Sequence, residues 1–303
     1  MENQRRKKMK QISQRKANAK NTRLLWWARL IYGFVALNAL VGALILILLP
    51  GQTETLFFWT ITPPLNARLF GVLYLGGATA VFLAVWHNEW ESVRYLVPIL
   101  VAAGILISWV TLLHLDNFAS DIRTVYWLVI YVGAPLLALL VYGFQERRGA
   151  NWAVTVAVRP FTRWVALITG SVVSVVAVGM IVWPETAVAH WPWPTSALMV
   201  RIFAAWFGAF GLGLLWFRVE HNWQRLHQIP TLMIAAAGLD LLIVLLHRDT
   251  LTSTGFDLNL WLYTGHLLAF IGIGLLLHWS QAQLQPQASR REPQLRPTKD
   301  TSP

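Results

Sequence analysis

Eight apolar stretches dominate this chain, near 30–49, 67–86, 95–113, 125–144, 164–183, 197–217, 229–247 and 260–279. Each approaches the ~20 helical residues that cross a bilayer core. Backbone placed in hydrocarbon must satisfy its own hydrogen bonds, which leaves helices or closed barrels. Continuous runs of this length fit helices. Charge is scarce to match: 13% of the 303 residues are Asp, Glu, Lys or Arg, against about 25% in soluble domains. The expected fold class is an all-α integral membrane protein of eight transmembrane helices. The composition argues against a soluble enzyme, a disordered chain and a nucleic-acid module.

The net charge of +11 belongs to the ends of the chain. Residues 1–29 hold ten basic side chains and one acid, and no lysine lies between Lys20 and Lys299. With the N-terminus inside, only Arg68, Arg123, Arg201 and Arg248 among the basic residues fall at outer ends. The positive-inside rule then places both termini in the cytoplasm of a cell (plasma or inner) membrane. The basic N-terminal tail is expected to rest against anionic lipid, and no nucleic acid is expected as a partner. Trp26, Trp27, Trp59, Trp86, Trp183 and Trp279 sit near span ends, as an interfacial belt requires. The first span does not read as a cleaved signal and is expected to be retained. The chain has no cysteine, which excludes disulfides, thiolate metal sites and cysteine nucleophiles.

The sequence also repeats itself at an offset of about 133 residues. Arg29 answers to Arg163, Pro50 to Pro184, Arg68-Leu-Phe70 to Arg201-Ile-Phe203, Trp90 to Trp223, His114 to His247 and Asp116 to Asp249. Chance in an apolar chain matches Leu and Val, not Arg, Trp, His and Asp together. The expected organisation is two tandem parallel four-helix repeats, since a unit with an even number of spans keeps its orientation when copied. The parts are a basic cytoplasmic tail (1–29), a first repeat (30–144), a cytoplasmic linker (145–163), a second repeat (164–279) and a disordered cytoplasmic tail (280–303). The repeats are expected side by side as two bundles. The small pairs Gly76/Ala80 and Ala209/Gly213 are expected to let the second helix of each approach a neighbour. The Arg-[Leu/Ile]-Phe opening of the unit resembles that of DoxX-like membrane proteins, over those triplets alone, and implies no function.

Polar residues inside the spans carry the functional expectations. Arg68, His114 and Asp116 reach one membrane level in the first repeat and are candidates for a structural ion pair. Arg201, His247 and Asp249 stand at the equivalent places in the second. Asp240 is mid-span in the seventh helix, where a carboxylate costs ~2.5–3.5 kcal/mol and should face protein or water. Its register partner is Ile107, and that of His266 is Gly133. Counting ~1.5 Å per residue, Asp240 and His266 lie at similar depth. Asp240, His266, His247, Arg201 and Asp249 together are candidates for an outward-facing polar pocket that binds a ligand or a proton.

Three functions fit. The protein binds or transports a small solute or lipid-like ligand through that pocket. Alternatively it is a structural or partner-binding membrane protein whose polar clusters only pack helices. A third reading is a haem- or quinone-linked oxidoreductase, with His247 and His266 as the axial pair. Walker, Gly-x-Ser-x-Gly, Gly-x-Gly-x-x-Gly and zinc-protease motifs are absent. No catalytic residue, metal or cofactor is assigned, and the bilayer itself is the expected partner.

Overall fold

The computed structural model describes residues 23–148, 154–251 and 257–282. The basic tail up to residue 22, the centre of the 145–163 linker, the tail from residue 283 and the side chain of Asp249 lie outside them. The described residues are all-helical, and eight helices are long and apolar enough to cross a membrane. These are α1 (Trp26–Leu48), α2 (Pro64–His87), α3 (Leu96–Leu113), α4 (Ile122–Arg147), α5 (Pro160–Val182), α6 (Ala197–Leu215), α7 (Gln228–Leu246) and α8 (Leu258–Ala282). The interruption at Asp240 does not break α7.

Local sequence explains where the helices start and stop. Pro64 and Pro160 occupy the first turns of α2 and α5, where no backbone donor is needed. Asp121 caps α4 by accepting from the Arg123 backbone N–H at 2.8 Å. Ser196 caps α6 by accepting from the Met199 N–H at 3.2 Å. Asn88, with φ of 54°, ends α2 in the left-handed region that asparagine tolerates. Pro135 lies within α4 and is lodged against Gly104 of α3.

Two surfaces cap the helices. One, the tail face, gathers the start of α1, the end of α8 and the segments 88–95 and 216–227. The other, the far face, gathers the described residues of the connections after α1, α3, α5 and α7. At the tail face Gln145, ending α4, donates to the Arg23 carbonyl at 2.9 Å and accepts from the Leu25 N–H at 3.3 Å. Gln281, ending α8, treats the Ala157 carbonyl (2.6 Å) and the Arg159 N–H (3.2 Å) the same way. Single β-bridges join Arg23 to Glu89 and Ala157 to Asn222.

The helices do not form two separate bundles. In packing order the ring runs α1, α2, α7, α8, α5, α6, α3, α4, with α2 and α6 also touching in the middle. The hairpin α1–α2 thus packs on α7–α8, and α5–α6 packs on α3–α4. Both hydrophobic cores mix the two regions: Phe70 and Trp127 share one with Phe203, and Trp90 and Tyr95 share the other with Phe217. This corrects the side-by-side expectation. The small residues explain part of it. A Cβ on Gly213 would stand 2.8 Å from Ile99 Cδ1, so α6 meets α3 there, whereas Gly76 faces open space. Gly170 and Gly211 let α5 and α6 approach closely, since a Cβ on Gly170 would stand 2.9 Å from the Gly211 carbonyl oxygen. The spans of α2 and α6 are also the most buried of the eight. Trp26, Trp86, Trp183 and Trp279 are well exposed as belt residues should be, but Trp59 is in the core at 4% exposure, in edge-on and tilted ring contacts with Phe57, Phe70 and Phe118.

Candidate functional site

Arginine and histidine meet at the far face, across the two regions rather than within them. Arg68 Nη1 donates to His247 Nε2 at 2.6 Å, and its Nε donates to the Ile47 carbonyl at 3.3 Å. Arg201 Nη1 donates to His114 Nε2 at 2.8 Å, and its Nε donates to the Ile181 carbonyl at 3.0 Å. Each guanidinium therefore ties three helices: α1, α2 and α7 in one clamp, α5, α6 and α3 in the other. The carbonyls belong to last turns, whose acceptors have no partner within the helix. His247 also places Nδ1 2.8 Å from the Ile243 carbonyl, which makes Nδ1 the donor and leaves the Nε2 lone pair for Arg68. Burial pushes the His114 imidazole below its ordinary value; the Arg201 charge adds to this and Glu185 opposes it.

The expected Arg68–Asp116 pair does not form. After His114 the chain enters a 3₁₀ turn, Leu115–Asn117, which carries Asp116 to the exposed surface. The residues that staple this face were not singled out from the sequence. Arg123 chelates Asp121 and donates through Nη1 to the carbonyls of Glu54, Thr55 and Phe57, at 2.7, 3.0 and 2.9 Å. Hydrogen bonds from Arg123 hold the Asp121 carboxyl below the usual carboxylate range.

Deeper in, Asp240 and His266 line the same cavity, of about 810 Å³. No hydrogen bond joins the two among the described residues. The cavity draws on α1, α2, α3, α4, α6, α7 and α8, so both regions build it, while His247 and Arg201 stay outside its lining. Its wall is mostly aliphatic and aromatic. Ile107 lines it opposite in register to Asp240. Tyr74 and Tyr131 line it as a hydroxyl–hydroxyl hydrogen-bonded pair. Three polar atoms of lining residues are buried with no partner: Asp240 Oδ1, Trp206 Nε1 and Tyr32 Oη. Buried polar atoms are nearly always paired, so these three stand out on a wall that is otherwise mostly apolar. Trp206 and Tyr32 carry no sequence signal that separates them from belt or core aromatics.

No family model, no curated protein and no solved structure matches this chain.

Proposed function

We propose that this polytopic membrane protein binds or moves a small solute or lipid-like molecule in the cavity that Asp240 and His266 line. The observation that carries this reading is the Asp240 carboxyl, 8% exposed, with Oδ1 unpartnered on the wall of a large apolar cavity. Desolvating such a group costs stability unless an occupant satisfies it. A ligand-sized cavity with a few convergent polar groups is the usual form of a binding site.

The same proposal holds that the chain is two tandem four-helix repeats in parallel orientation, at 30–144 and 164–279. Matched contacts support it: the two arginine clamps, the Gln145 and Gln281 caps, and the two β-bridges recur at corresponding positions. Tyr95 Oη donates to Gln228 Oε1 at 2.5 Å, and these residues are 133 apart, so equivalent positions meet as they would about a two-fold axis. The tail face is then cytoplasmic and the far face outer, in a cell membrane, as the basic-residue count favours.

The clamps support a purely architectural role for Arg68, His247, Arg201 and His114. An axial haem pair of His247 and His266 is not favoured, because both ring nitrogens of His247 are already engaged. The test is native mass spectrometry of protein extracted gently from its own membranes. A stoichiometric co-purifying molecule is expected, and Asp240→Asn should lose it while keeping the thermal midpoint of the empty protein. A wild-type protein that carries nothing from any membrane source refutes the reading.

A further inference from the structure

The cavity is continuous with the surface that faces hydrocarbon. Phe34 and Leu37 of α1 and Ile122 and Tyr126 of α4 line it, yet they are 52%, 59%, 76% and 40% exposed. Its opening therefore runs along the seam between α1 and α4. Trp27 and Phe144 meet edge-on toward the tail face, with ring centroids 5.8 Å apart. Toward the far face Asn38 is hydrogen-bonded to Tyr126, which also stacks on Phe58 at 6.2 Å. Between these two contacts lie 11 residues of α1 and 18 of α4, about 16 Å and 27 Å of helix at ~1.5 Å per residue.

The corresponding seam between α5 and α8 differs. Thr162 and Ser280 hydroxyls meet at 2.7 Å, and Arg159 donates to the Ser280 carbonyl at 2.8 Å. No residue of α5 lines the cavity. What covers the α1–α4 opening in a membrane is lipid, and what lies behind it is an apolar wall with one unpartnered carboxyl.

We infer that the cavity takes a long-chain amphiphile directly from the bilayer, through the α1–α4 seam, and that the occupant carries a hydrogen-bond donor, a hydroxyl or an ammonium, to Asp240. The chain matches the aliphatic lining, and the donor satisfies the carboxylate oxygen that the protein leaves unpartnered. Lateral entry explains why the opening faces hydrocarbon instead of either aqueous surface. This inference rests on the binding role proposed above and names the class of molecule and its route.

The full chain in lipid nanodiscs, with a diazirine-bearing long-chain primary alcohol as probe, tests it. Because the protein has no cysteine, a Phe34→Cys/Ala134→Cys pair, at lining positions between the two bounding contacts, can be joined by a short bis-maleimide without background. Photolabelling of α4, α6 or α7 lining peptides is expected in the wild type and in the unjoined double variant. It should be lost on cross-linking, and lost again in Ala134→Trp, which plugs the seam from α4 without any linker. The Ala134→Trp arm decides the matter if the cysteine pair does not fold or join. Labelling that survives both closures overturns seam entry while leaving the cavity a binding site. A cavity that takes no label, while native mass spectrometry finds a water-soluble molecule bound, overturns the amphiphile alone. No label and no co-purifying molecule overturn both proposals.

Discussion

Residues 30–144 and 164–279 agree at the far face and diverge two helical turns below it. At the surface, Arg68 with His247 and Arg201 with His114 make the same clamp twice, down to the carbonyl each arginine takes from the preceding helix. Below, α3 offers Ile107 where α7 offers Asp240, and both line one cavity. The far-face interactions recur as a matched pair, whereas Asp240, with Oδ1 unpartnered, has a register partner that carries no charge.

The strongest test exchanges the unmatched pair. Ile107 is fully buried, so Ile107→Asp should cost about 3 kcal/mol, the penalty of a carboxylate at helix centre. Asp240→Ile should do the opposite and raise stability by about 1–3 kcal/mol, the cost of an unsatisfied buried group, while abolishing binding of the co-purifying molecule. Thermal unfolding in detergent reads both. Equal destabilisation by the two exchanges would mean that the carboxyl is structural.

Next in size are the clamps. Arg68→Ala and Arg201→Ala should each lose about 1.5–3 kcal/mol, typical of hydrogen bonds to a charged group. The two losses should match within experimental error, because the same three-helix contact is removed. A large loss at one and none at the other would break the symmetry on which the comparison stands.

How far the sequence itself revealed this depends on the kind of signal. Span number was legible because hydrophobic length is a local property. The pairing of arginines with histidines was legible as two matched sets but not as crossed sets. Two matched sets of residues satisfy pairing within a set and pairing between sets equally, and only packing of α2 on α7 and α6 on α3 separates them. Asp240 and His266 could be placed at one depth from helix rise alone. That they share a cavity lined also by Tyr32 and Trp206 could not, since an aromatic reads the same in core, belt or pocket.

The His114 clamp should also respond to acid. Its imidazole binds protons less readily in the folded protein than free, chiefly through burial and then through Arg201. Its contribution is therefore complete above the ordinary value of 6.5 and is lost as pH falls below it, when an imidazolium would face the guanidinium. The thermal midpoint should drop from above pH 7 to about pH 5, and His114→Gln, which retains an acceptor, should flatten part of that drop. An identical pH profile in the variant would assign the acid sensitivity elsewhere.

The smallest effects come from two glycines that occupy matched stretches of α2 and α6. Gly76 borders the cavity with nothing within 4 Å of an added Cβ, so Gly76→Ala should stabilise by about 0.5–1 kcal/mol through backbone entropy alone. Gly213→Ala brings a Cβ within 2.8 Å of Ile99 Cδ1, the end of a side chain that can turn aside, and should forfeit most of that gain. The difference in size between the two gains is the informative quantity. Loss of stability at Gly76 would place a helix against α2 where open space now lies, and the cavity, together with the asymmetry built on it, would have to be redrawn.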